Sequence, residues 1–208
     1  MTPEIAENVE YIATIKELHK LCDKLSKSEV LGIDLECENN LHHYGAYLTL
    51  IQISDGHKDY IIDVIELKEL DPLLAIFSDK NIEKIFHDVS FDLRMLQHQF
   101  KTTVRNLTDT QMLAMLNGEE NLGLGALLTK YFDVEKKKKF QKADWTKRPL
   151  SKEMLTYAAG DSRYLIELKE KLIEELKRKG RETWAVEECK QLETCDYTYK
   201  EQVATDIK

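Results

Sequence analysis

Apolar and polar positions alternate through "SEVLGIDLECENN", Ser28 to Asn40, where Val30, Leu31, Ile33, Leu35 and Cys37 lie between polar ends and predict a strand. "VEYIA", from Val9 to Ala13, predicts a shorter strand, and Thr14 and Glu17 then stand in the T-x-x-E spacing that opens a helix over "IKELHKLCDKL". "YLTLIQIS" and "DYIIDV" predict two more strands, with Asp55 and Gly56 as the turn between them. Together with the strand at Val30 they should form a three-stranded meander. Beyond it helix and strand alternate: "LKELDPLLAIFS" is an amphipathic helix, "IEKIFH" a short strand and "SFDLRMLQHQF" a helix. The sheet is therefore expected to be mixed. "VRNLTDT" predicts a last short strand leading into the helix "QMLAMLN", followed by a helix over "GLGALLTKYF" and a loop over "DVEKKKKFQKADWTKRPL". "SKEMLTYAAGDSRYLIELKEKLIEELKRKG" is the longest helical run and is predicted as one helix. From Arg181 to Lys208 the chain is charged and partly helical, which predicts an appended tail.

A length of 208 residues suits one sizeable domain. The four cysteines form no C-x-x-C pair, a usage that suits reduced thiols in a cytoplasm. "MTPEIAENVEYIATIKELHKL" is acidic and has no apolar centre, so it does not resemble a signal peptide, and no apolar run reaches the length of a membrane span. The expectation is a soluble protein. A net charge of −8 argues against non-specific wrapping of nucleic acid, although acids that bind metal ions would account for part of that excess.

Two of those acids interrupt the strand at Val30. Asp34 and Glu36 are two positions apart, so both carboxylates should face one side of the sheet, roughly 6.6 Å apart. Burying one carboxylate costs several kcal/mol, and a neighbour of like charge adds to the cost, so a cation is needed between them. Hard divalent ions fit, because the candidate ligands are carboxylates and no cysteine or histidine set has zinc spacing. Two such ions about 3.5 to 4 Å apart can clamp the attacking and leaving oxygens of a phosphodiester. Further candidates are Asp88 and Asp92 in "FHDVSFDLRML" and Asp161, which shares a helical face with Tyr157 four residues earlier. A lone aspartate at a helix start is more often a cap than a ligand, and spacing alone does not choose between Asp88 and Asp92.

In combination, "GIDLE", "IFHDVSFDLRML" and "YAAGD" resemble the three ordered motifs of the DEDD superfamily of 3′-to-5′ exonucleases, in its tyrosine subclass. "LTLIQIS", "LTDTQMLA" and "ADWTKRPLS" between them are similar to ribonuclease D and to the exonuclease subunit of the nuclear exosome. The resemblance implies an α/β, ribonuclease-H-like fold with a mixed central sheet flanked by helices, a catalytic domain over 1–180, and a helical tail over 181–208 without a complete accessory domain. It places the second-motif ligand on Asp92, leaving Asp88 as a loop or capping residue. It further implies two divalent ions, Mg²⁺ or Mn²⁺, with Asp34 bridging them. Glu36 and Asp161 would complete the ion that holds the attacking water, Asp92 would hold the second, and Tyr157 would orient the water.

The function so implied is hydrolysis of single-stranded RNA from its 3′ end, releasing nucleoside 5′-monophosphates in RNA maturation or decay. A DNA exonuclease of the same subclass and an inactive RNA-binding relative are the alternatives; the presence of all four acids and of Tyr157 speaks against the second. For substrate contacts, Lys136 to Lys139 with Phe140, Lys142, Trp145, Lys147 and Arg148 form a basic loop with aromatic residues, whose charges could hold phosphates and whose rings could stack on bases. The competing reading is a solvated lysine run with Trp145 in the core. His87 and Phe91, close to Asp92, could meet the terminal nucleotide, while His87 could equally be a satisfied histidine at a strand end.

Overall fold

A computed structural model describes residues 8–136 and 139–197. Lys137 and Lys138 of the basic loop and residues 198–208 of the expected tail lie outside it. The described elements are β1 (Val9–Ile12), α1 (Ile15–Leu25), β2 (Val30–Asn39), β3 (Ala46–Ser54), β4 (Asp59–Asp63), α2 (Asp71–Ser78), β5 (Glu83–Phe86), α3 (Ser90–Phe100), β6 (Leu107–Asp109), α4 (Thr110–Asn117), α5 (Leu124–Phe132), α6 (Lys152–Ser162), α7 (Leu165–Arg178) and α8 (Glu182–Thr194). The strands form one mixed sheet in the order β1-β4-β3-β2-β5-β6, in which β2, β3 and β4 are the antiparallel meander and the outer pairings are parallel. This is a ribonuclease-H-like α/β architecture.

Alternation along β2 divides the molecule. Leu31, Ile33 and Leu35 face a core shared with Leu18, Leu21 and Leu25 of α1, Phe77 of α2 and Leu93, Met95 and Leu96 of α3. The opposite face carries Gly32, Asp34 and Glu36 towards α6 and α7, beside a smaller core of Leu50, Ile61, Trp145, Leu155, Ala158 and Ala159. The capping box expected at Thr14 is formed, with the Glu17 N–H donating to Thr14 Oγ1 at 3.3 Å and the Thr14 N–H donating back to Glu17 Oε2 at 3.0 Å.

Three expectations are corrected. Helix α2 begins at Asp71, not at Leu67, because Pro72 falls in its first turn, where its missing N–H costs nothing. The run from Ser151 is two helices, not one: α6 ends at Ser162, and Tyr164, expected within the helix, is the N-cap of α7. The junction is pinned to the sheet, since Arg163 Nε donates to the buried Asp59 of β4 at 2.6 Å and the Ser162 carbonyl lies against Gly32 of β2. Finally, α8 is not a loose appendage. Ala185 and Cys189 are buried beside α4 and α7, and Glu193 Oε1 accepts the N–H of Leu107 on β6 at 3.0 Å. The four cysteines are free, and no helix among the described residues is long and apolar enough to cross a membrane.

The closeness at Gly32 makes it a test of the helix break. A Cβ there would stand 2.6 Å from the Ser162 carbonyl oxygen, which is backbone and cannot rotate away. Gly32→Ala is expected to destabilise the fold by about 1–3 kcal/mol, the usual cost of overpacking. At about 2–4 °C per kcal/mol this is readable in a thermal melt. An unchanged melt would show that α6 and α7 are not held against β2.

Candidate active site

Strand β2 is long and β5 is short, and that mismatch opens the site. β5 pairs only with Val30 to Gly32, so among the described residues β2 has no strand on that side from Ile33 onward. The chain leaves β5 through His87 and Asp88 and enters α3, whose first turn carries the buried Asp92. Asp88 adopts a left-handed φ of 61° in this turn, and the carboxylate of Asp109 holds it by accepting the N–H of Asp88 at 2.9 Å and of Val89 at 3.2 Å. Asp88 is thus the loop residue, and the first turn of α3 receives no side-chain cap. From the other side, α6 lowers Tyr157 and Asp161 over the same stretch of β2.

Asp34, Glu36 and Asp161 come together, each offering a carboxylate oxygen within 4.8 Å of the others. Burial pushes the Asp34 carboxyl from 3.8 to about 6, against the nearby charge of Lys136. Burial and the negative charge of Asp34 push Glu36 well above the usual carboxylate range, and the same two causes raise Asp92. Asp92 is therefore electrostatically part of the cluster although it approaches from another helix. The cation the structure places here is Lys136, whose Nζ contacts Asp161 and lies 5.2 Å from the centre of the Tyr157 ring. Crowded, partly protonated carboxylates that draw in an ammonium group have the donor set and charge deficit of a hard divalent-cation site.

Tyr157 is half-buried, with ring centres 5.7 Å from Phe140 and 6.1 Å from Trp145. Burial and the charges of Glu36 and Asp34 raise its pKa, which keeps the phenol protonated at neutral pH. It can donate a hydrogen bond to an oxygen held over the carboxylates.

The expected substrate contacts separate. Phe91 is exposed beside Asp92. His87 is half-buried, and its Nδ1 lies 2.9 Å from Thr110 Oγ1. Trp145, by contrast, is buried under Tyr157, and Arg148 is occupied elsewhere: its Nε and Nη2 grip the wholly buried Asp63, the latter at 2.7 Å, while Nη1 donates to the Trp145 carbonyl at 2.8 Å. Tyr11 donates to the same carboxylate. The basic, aromatic loop is scaffold at these two positions, which corrects the expectation that Trp145 stacks on bases and Arg148 holds phosphate. Lys139 and Lys147 also face acids of their own chain, Glu153 and Asp144. Sequence reasoning gave no role to Asp109, although it lies within "LTDTQMLA", nor to Gln52, which lies directly across from Asp34 in the β2–β3 register and keeps its buried amide on the same face.

A ribonuclease-H-like sheet with clustered carboxylates on its central strand and a tyrosine one helical turn from the last of them defines a nuclease-type site. The chain belongs to the 3′–5′ exonuclease family, whose model matches residues 9–177, and the family is metal-dependent. It is 32% identical to ribonuclease D of Serratia proteamaculans over 183 residues, which are 88% of this chain and 49% of that protein. The catalytic core of RRP6 from Trypanosoma brucei superposes with a TM-score of 0.85 at 28% identity, covering 92% of this chain and 54% of the other. Brucella melitensis NrnC bound to pGG superposes with a TM-score of 0.78 at 29% identity, covering 91% of each chain. The chain spans half or less of the length of the curated relatives it matches.

Two predictions arise from this geometry. An Asp34 raised from 3.8 to about 6 holds a proton in the folded state that the unfolded chain has already lost, so its contribution to stability falls as pH rises through that window. In metal-free protein, the gain in melting temperature from Asp34→Asn should therefore grow between about pH 4 and pH 7, to several degrees. A gain independent of pH would contradict the crowding. Separately, Arg148→Met should cost on the order of 3 kcal/mol in urea unfolding, because it strands the buried Asp63. Unchanged stability with weakened RNA binding would instead return Arg148 to the substrate.

Proposed function

We propose that this chain is a 3′-to-5′ exoribonuclease that removes nucleoside 5′-monophosphates one at a time from single-stranded RNA, using two divalent ions, Mg²⁺ or Mn²⁺. The observation that carries the proposal is the convergence of Asp34, Glu36 and Asp161 within 4.8 Å, with Asp92 raised by the same field and Tyr157 above them. Support comes from relatives: Escherichia coli RNase D is described as an exoribonuclease involved in structured RNA processing, and Brucella melitensis NrnC has been seen with bound Mg²⁺ and with pGG.

The ions would activate a water and stabilise charge on the leaving oxygen. The chain's own groups do the rest. By similarity to the family, Asp34 would serve both ions, Glu36 and Asp161 would complete the one that holds the attacking water, and Asp92 would hold the second. The Tyr157 phenol, held by Phe140 and Trp145, donates to the attacking oxygen and fixes its direction. Phe91 and His87 lie beside the terminal nucleotide. Very short RNA is included among the substrates, on the strength of the match to NrnC along nearly its whole length.

Matched RNA and DNA of graded length, from dinucleotide upward, carrying a 3′-hydroxyl or a 3′-phosphate, provide the test. The expected result is Mg²⁺- or Mn²⁺-dependent release of 5′-monophosphates from RNA with a free 3′-hydroxyl, stopped by EDTA and abolished in Asp34→Asn. Tyr157→Phe should slow it by about 10²- to 10⁴-fold with RNA binding nearly intact. Rapid cleavage of circular RNA, or release of 3′-monophosphates, would overturn the mechanism. Preferential degradation of DNA would overturn the substrate.

A further inference from the structure

Past the active-site carboxylates, the end of β2 and the turn into β3 gather a second set of metal-ligating side chains. Glu38 is only 2% exposed, and its Oε1 is held by the backbone N–H groups of Leu41 at 2.5 Å and His42 at 3.0 Å. Its other oxygen, Oε2, faces His42 Nδ1 at 3.5 Å. Opposite, the nearly buried Asp144 accepts the N–H of Thr146 on Oδ1 at 3.1 Å, while Oδ2 faces His43 Nε2 at 3.4 Å. Each carboxylate is thus oriented by backbone through one oxygen and presents the second to an imidazole.

The spacing is informative. Charge-assisted hydrogen bonds close to about 2.7–2.9 Å, so gaps of 3.4 and 3.5 Å are long for such bonds. They match the edge of a tetrahedron, about 3.4 Å, whose corners each lie about 2.1 Å from a zinc ion. Donor atoms of Glu38, His42 and Asp144 already fall within 4.8 Å of one another; His43 stands outside that set, 3.4 Å from Asp144 on an exposed side chain that must turn inward to complete it. We propose that Glu38, His42, His43 and Asp144 bind a zinc-class divalent ion, which clips the β2–β3 turn to the loop that precedes α6.

Two imidazoles and two carboxylates favour Zn²⁺ over Mg²⁺ or Ca²⁺, which prefer oxygen alone. The Asp144 carboxylate is ready to ligate: the Thr146 hydroxyl first, then its N–H and His43, hold it down at about 2. Lys147 Nζ stands 3.6 Å from Asp144 on a mostly exposed side chain and can swing away. Asp144 directly precedes Trp145, whose ring lies under Tyr157, so an ion here would steady the floor of the catalytic tyrosine from outside the catalytic cluster.

The test is calorimetric titration of chelator-treated full-length chain with Zn²⁺ under saturating Mg²⁺, with Co²⁺ absorption to report coordination and a thermal melt to report stability. One Zn²⁺ equivalent is expected in both wild type and Asp34→Asn, with a rise in melting temperature and a tetrahedral, imidazole-containing Co²⁺ spectrum. His42→Ala and His43→Ala, which alter exposed side chains, should each weaken that equivalent by more than the roughly 10–100-fold that losing an outer-shell partner costs. Zn²⁺ that is displaced by Mg²⁺, or lost in Asp34→Asn and kept in both histidine variants, would assign the ion to the catalytic carboxylates and overturn the proposal. No binding in wild type would overturn it as well.

Discussion

Like charges on one strand face are the constraint from which the rest of this structure is arranged. Asp34 and Glu36 point the same way from β2, Asp161 comes down on them and Asp92 enters from the side, all in surroundings that resist ionisation. Such a group is tolerable only if a positive charge can reach it and if the elements carrying it cannot move apart. Lys136 supplies the charge in the metal-free chain. Its own pKa is lowered by burial, so it too is held there at a cost that a divalent ion would remove.

Rigidity comes from pairings outside the cluster. Asp109 ties the end of β6 to the turn that aims Asp92, Arg163 ties the α6–α7 junction to Asp59, and Gly32 lets the Ser162 backbone approach β2 directly behind Asp161. Asp109 grips backbone N–H groups, Gly32 meets a backbone carbonyl, and the Arg163–Asp59 pair joins two side chains, one of them buried in the sheet, so each fixes the element that carries a site residue. A site assembled from a strand and two helices needs such contacts, because the geometry of a reacting centre tolerates little error.

Much of this was legible because it is local. Strand alternation put Asp34 and Glu36 on one face, the T-x-x-E spacing placed α1 to the residue, and a separation of four put Tyr157 beside Asp161. What escaped depends on tertiary partners. Gly160, Asp161 and Ser162 in "GDSRYL" weaken a helix by propensity but do not fix where it breaks; the break at Arg163 is placed by Asp59 and Gly32 beneath it. Arg148 looks like a phosphate ligand until Asp63, 85 residues away in sequence, is found under it. Cys189 and Ala185 carry too few apolar neighbours in sequence to announce that α8 is packed.

The loop before α6 shows why a basic, aromatic stretch need not be a binding surface. Asp144 faces the β2–β3 turn, Trp145 lies beneath Tyr157, and Arg148 reaches across to β4, so three neighbouring positions fasten the loop to three different parts of the fold. Among its described residues, Lys136, Lys139, Lys147 and Arg148 each face an acid of the chain. The apolar side of Tyr157 rests on Trp145 and Phe140, while its hydroxyl end lies in the field of Asp34 and Glu36. Burial is the first cause of that phenol's raised pKa and the two carboxylate charges the next, so the loop that covers the ring and the strand that charges it both act to keep it protonated. A change in either weakens that hold, but only a change in the loop removes the surface on which the ring rests.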